Sequence, residues 1–185
     1  MTARTQATIY DLYQVGGKAE IVNGEIVPMA PTGYLPGYAG GEIFASLRQH
    51  ARRTKSGIAT PDNVGFIVNL PNRTSFSPDA GWFTGSPTGM KFLEGAPALA
   101  VEVRSEHDYG SRAEREITNK RRDYFLAGTL CFWDVDLRSS DVVKAYFAND
   151  PDNPIIFLRG DVAHAGEAIP GWSIPVDDLF PDDAD

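Results

Sequence analysis

The stretch Pro97-Ala-Leu-Ala-Val-Glu-Val-Arg104, together with residues 111–124 that follow it, decides the fold of this chain. The first part is an almost continuous apolar run, which predicts a β-strand covered on both faces of a sheet. It contains one carboxylate, Glu102, and the following segment has one ammonium, Lys120, among apolar residues. Burying an unpaired charge costs on the order of several kcal/mol. We therefore expect Glu102 and Lys120 to meet a partner charge, a metal or a substrate.

The segment after this strand has the periodicity of a helix. Four of its residues recur at intervals of four, three and four positions and share one helical face: Ala113, Ile117, Lys120 and Tyr124. Ser111 and Glu114 have the spacing of a capping box at a helix start. Gly128 suits the left-handed position after a helix end. The pattern predicts a helix from Ser111 to about Ala127.

The residues before and after this unit predict a hairpin, a second helix and further strands. Two β-branched runs joined by Asn23-Gly24 predict a type I′ hairpin over residues 19–29. Proline and glycine punctuate residues 28–37, which predicts a loop, and a helix is expected to begin near Gly41. Extended runs predict consecutive sheet strands at residues 58–60, 65–70 and 76–83, and more strands at 130–136, 142–147 and 155–158.

Length and composition predict one globular domain. The chain has 185 residues, of which 42% are hydrophobic, and it has no apolar tract of the roughly 18 residues that a membrane helix needs. We expect an N-terminal extension over residues 1–18, a single domain over residues 19–180, and a frayed end over residues 181–185. No membrane partner is expected.

The net charge and the single cysteine limit the binding partners and the cellular compartment that we expect. Seventeen basic and twenty-five acidic residues give a net charge of −8, which argues against a generic coat on a polyanion. Basic residues do cluster locally, around residues 48–55 and 112–122, as solvated helix faces or as binding surfaces. The single cysteine, Cys131, cannot form an internal disulfide, and the first residues have no apolar leader, so we expect a cytoplasmic protein.

Three residues combine into one chemistry: Asp79, Glu102 and Lys120. A hard cation such as Mg²⁺ takes oxygen ligands, often one or two carboxylates with water and a phosphate oxygen. Asp79 and Glu102 would supply these carboxylates if their strands are neighbours. An ammonium facing the same point would orient or deprotonate an attacking water, or stabilise charge on a phosphate. This is the logic of metal-assisted phosphodiester hydrolysis.

Each of these residues also has a simpler interpretation. Asp79 follows Pro78 and is a common turn residue, and Glu102 would be exposed on an alternating strand. Lys120 would reach solvent from the edge of the apolar stripe, or pair with Glu116 one turn earlier. Zinc and nucleotide sites lack their ligand and phosphate-loop motifs. A glycosidase carboxylate pair would leave Lys120 unexplained.

Taken together, the chain resembles the PD-(D/E)XK nuclease superfamily, and within it the Uma family of restriction-endonuclease-like proteins. The resemblance rests on the order and spacing of Lys120, Tyr124, Gly128 and of residues 19–29, 77–79, 99–105, 132–136, 169–174 and 179–180. It implies an α/β (α+β) fold of restriction-endonuclease type: a central mixed β-sheet flanked by helices, with an N-terminal β-hairpin. It also implies Asp79 and Glu102 as ligands of Mg²⁺, or of Mn²⁺ as a substitute, and Lys120 as the catalytic lysine.

The chain departs from the superfamily pattern at one decisive position. The usual lysine lies two residues after the second acid, where this chain has Arg104. An arginine cannot act as a base at ordinary pH, so Lys120 on the following helix is the expected catalytic lysine, and Arg104 and Arg121 are expected to bind the substrate phosphate. Glu42 is the expected outer metal ligand on the first long helix, with Glu20 of the hairpin as its competitor.

Two functions follow from these expectations. The first is a Mg²⁺-dependent endonuclease that hydrolyses DNA, in which Asp79 and Glu102 hold the metal and Lys120 activates water. The second is a catalytically inactive module of the same fold, used for binding or assembly. A homodimer is expected for the first, because cutting both strands of a duplex suits two sites related by a two-fold axis.

Overall fold

The structure is a computed structural model that describes residues 6–182. Its helices are α1 (Ile9–Tyr13), α2 (Tyr34–Thr54) and α3 (Ser111–Ala127). Its strands are β1 (Ala19–Val22), β2 (Glu25–Pro28), β3 (Ile58–Thr60), β4 (Phe66–Leu70), β5 (Arg73–Phe76), β6 (Ala80–Phe83), β7 (Leu93–Glu94), β8 (Leu99–Val103), β9 (Cys131–Val135), β10 (Val143–Phe147), β11 (Asp150–Phe157), β12 (Val162–His164) and β13 (Ser173–Pro175). Short 3₁₀ turns follow at Gly166–Ala168 and Val176–Leu179.

The central sheet has six strands in the order β11-β10-β9-β8-β6-β3. Strands β8 and β9 are parallel and are connected by α3, whereas the other neighbouring pairs are antiparallel. Parallel neighbours need such a crossover connection, because a tight turn reverses the chain direction and can join only antiparallel strands. The predicted mixed sheet flanked by helices is therefore confirmed.

The second sheet has five strands in the order β2-β1-β5-β4-β7. Its β1–β2 hairpin turns at Asn23 and Gly24, which have φ of 52° and 73°, so the predicted type I′ turn is confirmed. Strands β4 and β5 also belong to this sheet, whereas β3 and β6 belong to the central one. The expectation of consecutive strands was thus too simple, because alternation predicts a strand but not the sheet it joins.

Strand β8 is covered on both faces, as its apolar run predicts. Leu99, Val101 and Val103 face a core that includes α2 residues such as Ile43 and Leu47. Ala100 faces a second core between the two sheets and α3, formed with Phe66, Phe76, Phe83, Tyr124 and Phe132. Glu102 is on the same side of β8 as Ala100, which points its carboxylate towards α3 and the second sheet.

Two helix starts differ from the sequence prediction. Helix α2 begins at Tyr34 instead of near Gly41. Pro36 does not prevent this, because it lies in the first turn, where the backbone N–H groups make no hydrogen bond within the helix. Helix α3 begins at Ser111 as predicted, but its N-cap is Gly110, without a side-chain capping bond. The capping-box prediction was therefore wrong; the Glu114 carboxylate instead pairs with Arg104.

The ends of the chain bear on two other expectations. Residues 1–5 of the predicted N-terminal extension and residues 183–185 of the predicted frayed end lie outside the described residues. Within residues 6–182, no helix combines the length and the apolar character needed to cross a membrane.

Two glycine substitutions should shift stability in opposite directions. Gly128 ends α3 with φ of 107°, whereas Gly41 lies within α2, and a Cβ added at either position meets no heavy atom within 4 Å. Gly128→Ala should therefore lower the free energy of unfolding by about 1 kcal/mol through backbone strain, and Gly41→Ala should raise it by about 0.5–1 kcal/mol. Urea unfolding of both variants measures this, and equal effects would contradict the left-handed helix end.

Candidate active site

Strand pairing brings Asp79 next to Glu102. The antiparallel pairing of β6 with β8 sets Ala80 opposite Val101, and the Asp79 N–H donates to the Val101 carbonyl at 2.9 Å. The Val103 N–H in turn donates to Asp79 Oδ2 at 2.8 Å. The Asp79 carboxylate is thus fixed on the backbone of β8, within one residue of Glu102. The interpretation of Asp79 as a simple turn residue does not account for this hydrogen bond to its side chain.

Lys120 reaches the same place from α3. Its Nζ lies 2.8 Å from Glu102 Oε1 and 3.1 Å from Glu20 Oε1. The side chains of Lys120 and Glu102 retain 17% and 15% of their accessible surface, so the pair borders solvent without lying in it. Glu116 forms its ion pair with Arg112 instead, so the alternative that Glu116 partners Lys120 is wrong. The structure brings Glu102 and Lys120 together as the sequence predicted.

Glu20 completes the cluster from the hairpin. Its Oε2 lies 2.5 Å from Arg73 Nη1, and its Oε1 accepts the Ser77 N–H at 2.9 Å as well as the Lys120 contact. Arg73 Nε also donates to Asp123 Oδ2 at 2.9 Å. Every one of these side chains is buried or nearly so, and a chain of alternating charges therefore links the second sheet to α3.

Of the two glutamates that the sequence offered as the extra carboxylate, the structure brings Glu20 into the cluster. Glu42, the expected outer ligand, lies on α2, and no hydrogen bond or ion pair of the described residues connects it with Asp79 or Glu102. The sequence offered both residues, but it could not say which element lies against β8. The position of the hairpin in the second sheet decides this.

Tyr124 holds Glu102 from the other side. Its hydroxyl donates to Glu102 Oε1 at 2.8 Å, and its ring is stacked on Phe76 with centroids 3.9 Å apart. Both contacts of the carboxylate therefore go to Oε1. Within residues 6–182, no hydrogen bond reaches Glu102 Oε2. One oxygen of the carboxylate is left for a ligand.

A second ammonium lies on Asp79. Lys18 Nζ is 2.7 Å from Asp79 Oδ1 and 2.7 Å from Asp62 Oδ1, and the Lys18 side chain is only 13% exposed. An open cavity of about 140 Å³ lies against these two aspartates, and α2 forms its other wall with Gly37, Gly40 and Phe44. The acidic cluster therefore opens towards solvent beside Asp79.

The charges of the cluster shift one another's pKa. Burial raises the pKa of Glu102 most, Lys120 opposes this, and the carboxylates of Asp79 and Glu20 add to the rise, so that it reaches about 7. Burial alone would lower the pKa of Lys120, but Glu102 and Glu20 outweigh it and raise that pKa above its ordinary value. Lys120 is therefore an ammonium at neutral pH in the metal-free protein.

The two arginines expected to bind substrate have other partners. Arg104 donates from Nε and Nη2 to the Asp134 carboxylate, both at 2.7 Å, and pairs with Glu114 of α3. The guanidinium of Arg121 lies 3.8 Å from the ring centre of Tyr146. The structure brings neither arginine to Asp79 or Glu102. Arg104 instead joins β8, β9 and α3.

Sequence reasoning missed three residues of the cluster as site residues: Lys18, Arg73 and Tyr124. Tyr124 had a signal, because it shares the helical face of Lys120. Lys18 precedes a hairpin and Arg73 follows a tight turn, where a charged residue is ordinary and exposure is the default expectation. Only the packing of the second sheet against α3 reveals them.

Known proteins resemble this chain in sequence and in fold. Residues 7–177 match the Uma2 family, whose description reads "Putative restriction endonuclease". The chain belongs to this family. A crystal structure from Anabaena variabilis, described as a "putative nuclease belonging to DUF820", superposes on this Uma2 chain with a TM-score of 0.73. The two share 15% sequence identity over 94% of this chain and 97% of the other, which establishes a common fold. No curated protein matches.

The carboxylates of Asp79 and Glu102 in this Uma2 chain are oxygen donors of the kind that hard divalent cations bind, and they are few in number. No group of three or more His, Cys, Asp or Glu side chains within residues 6–182 is arranged to hold a metal ion. Mg²⁺ needs fewer, since it is commonly held by one or two carboxylates with water and substrate oxygens. Asp79 and the unbonded Oε2 of Glu102 offer such a pair of carboxylates, and Asp79 Oδ1 is already in contact with the ammonium of Lys18.

The structural role of Arg104 can be measured against an exposed arginine. Arg104→Leu should lower the free energy of unfolding by about 3 kcal/mol, because it leaves the buried Asp134 carboxylate without its partner. Arg112→Leu removes a surface pair with Glu116 and should have little measurable effect. Urea unfolding of both variants tests this. A change at Arg104 as small as that at Arg112 would contradict a structural role.

Glu102 should make stability depend on pH. Its pKa is about 7 in the folded protein and 4.5 ordinarily, so the folded state holds the proton more tightly. The resulting stabilisation is complete below pH 4.5 and is lost as the pH rises through about 7. The free energy of unfolding of wild type relative to Glu102→Gln should therefore fall over this range, by on the order of 3 kcal/mol.

Urea unfolding at half-unit pH steps measures this difference. The exposed Glu116→Gln is the matched control, and its difference from wild type should stay nearly constant over the same range. A constant difference for Glu102→Gln as well would show that the Glu102 carboxyl titrates at an ordinary pKa.

Proposed function

We propose that this Uma2 protein is a Mg²⁺-dependent endonuclease that hydrolyses phosphodiester bonds in DNA. The observation that supports this most is the convergence of Glu102 and Lys120 at the margin of solvent, with Asp79 held on the neighbouring backbone. Family membership supports a nuclease function in general terms. The choice of metal, of DNA and of residue roles is our proposal.

In this proposal Asp79 and Glu102 hold the cation. Asp79 is oriented by the Val103 N–H, and Glu102 by Tyr124 and Lys120, so both carboxylates are positioned before any ligand arrives. A bound divalent cation would supply Lewis-acid activation of the phosphate and of a water molecule. Glu102, whose pKa is raised by burial and further by the carboxylates of Asp79 and Glu20, would hold the cation in its ionised form.

Lys120 acts as a hydrogen-bond donor and charge stabiliser. An ammonium has three N–H donors, and two of them have acceptors in Glu102 and Glu20. The third is free for the attacking water or a phosphate oxygen. Because its pKa is raised, Lys120 keeps its proton at Nζ and orients the water by donating to it, instead of removing its proton. This narrows the role expected from the sequence, which left both options open.

An inactive nuclease-fold module is the second candidate. Two observations favour it: the net charge of −8, and the engagement of Arg104 and Arg121 in contacts within the protein. Both reduce the positive surface available to a nucleic acid. The two candidates differ in whether metal and Lys120 change the covalent state of DNA.

Cleavage of supercoiled plasmid tests the proposal. Wild type with Mg²⁺ or Mn²⁺ should nick the plasmid, and Asp79→Asn and Lys120→Met should each reduce the rate by about 100-fold or more, because the first removes a proposed metal ligand and the second removes the ammonium that meets the developing charge. Lys91→Met is the matched control, since Lys91 is an exposed lysine outside the cluster, and it should cut as wild type does.

Equal nicking by wild type and Asp79→Asn would contradict the proposal. Thermal unfolding of each variant must show that it is folded. An absence of nicking, together with metal-independent plasmid binding, would favour the inactive module. The homodimer stays a prediction, and sedimentation of the protein with and without a DNA duplex would test it.

A further inference from the structure

Lys18 lies on the carboxylate that the proposed nuclease needs for its metal. Its Nζ is 2.7 Å from Asp79 Oδ1, and the other oxygen of Asp79 is occupied by the Val103 N–H at 2.8 Å. Both oxygens of Asp79 therefore have donors in this structure. A divalent cation at Asp79 would meet the ammonium of Lys18 at close range.

The environment of Lys18 favours its charged form. Burial would lower its pKa, but Asp79, Glu102 and Asp62 together raise it well above its ordinary value. Lys18 is therefore cationic under any ordinary condition. Lys18 and Lys120 are the two ammonium groups on the carboxylates of Glu20, Asp79 and Glu102, and Arg73 adds a guanidinium on Glu20.

We propose that Lys18 is an internal counter-ion that competes with the divalent cation for Asp79 and so sets the metal affinity of the site. This inference rests on the proposed function, since it presupposes a cation at Asp79 and Glu102. Asp62 gives the ammonium a second acceptor at 2.7 Å, and the Asp62 side chain is 46% exposed. Lys18 can thus leave Asp79 and remain paired with Asp62 at the edge of the open cavity.

Removing Lys18 should leave Asp79 in place. The Val103 N–H still fixes Asp79 Oδ2, and the pairing of β6 with β8 still fixes its backbone. The main change is then electrostatic, because one positive charge next to the cation site is lost. A unit charge a few ångströms from a divalent ion opposes its binding even when water screens the interaction.

Calorimetric titration with Mn²⁺ tests this inference. Lys18→Met should bind Mn²⁺ about tenfold more tightly than wild type, which corresponds to about 1.4 kcal/mol. Lys18→Arg keeps the charge and Lys91→Met removes an exposed charge elsewhere, so both should bind as wild type does. Adding Asp79→Asn to Lys18→Met should abolish the gain, which locates the ion at Asp79.

Thermal unfolding gives a second readout that does not depend on cleavage. Without metal, Lys18→Met should unfold at a lower temperature than wild type, because Asp79 loses a counter-ion. Mn²⁺ should then raise its unfolding temperature more than that of wild type, since at equal concentration a tighter ligand stabilises the folded state more. If Lys18→Met does not fold, Lys18→Gln replaces it, which removes the charge but keeps a hydrogen-bond donor.

The outcomes separate this inference from the proposed function. Mn²⁺ binding by wild type that is lost in Glu102→Gln but unchanged in Lys18→Met would overturn the role of Lys18 and leave the metal site standing. Binding by Lys18→Met alone, dependent on Asp79, would support the inference in its strongest form. Failure of both proteins to bind Mn²⁺ would overturn the inference together with the metal-dependent function.

Discussion

The rest of this structure depends on the burial of a lysine between two glutamates. Lys120 comes from α3, Glu102 from the central sheet and Glu20 from the second sheet, and their contacts measure 2.8 and 3.1 Å. An ammonium or carboxylate removed from water is tolerated only where opposite charges and hydrogen bonds replace its hydration. Three layers of the fold must therefore keep their positions relative to one another. The site and the packing of the layers are one constraint.

The sequence was most informative where a charge contradicts its surroundings. The strand 99–103 and the helix 111–127 can be predicted locally, because a continuous apolar run marks a strand covered on both faces and apolar residues at intervals of three and four mark one face of a helix. Glu102 and Lys120 stand out against that background, and the structure brings them together. Asp79 can be predicted as a site residue only in combination with Glu102 and Lys120, since a Pro-Asp pair is ordinary in a turn.

What the sequence could not determine is which elements meet across the chain. Glu42 was preferred to Glu20, but the hairpin lies in the second sheet and α2 packs on the opposite side of β8, so Glu20 is the one that reaches the cluster. Lys18 and Arg73 lie where charged residues are usually exposed. Arg104 was misjudged for a similar reason: its partners Asp134 and Glu114 belong to β9 and α3, and periodicity within β8 carries no information about them. Local patterns predict elements, whereas tertiary neighbours decide the fate of each charge.

The contacts of the charge cluster also affect the order in which the chain can fold during synthesis. Lys18 and Asp79 are 61 positions apart, and Glu20 and Arg73 are 53 apart, so the cluster is made almost entirely of distant contacts. Such contacts form late, because a long loop must close before they contribute. During synthesis, Glu20, Asp79 and Glu102 all leave the ribosome before Lys120. A nascent chain that ends before α3 therefore carries the acids without the lysine that joins them, and cannot yet contain the assembled site.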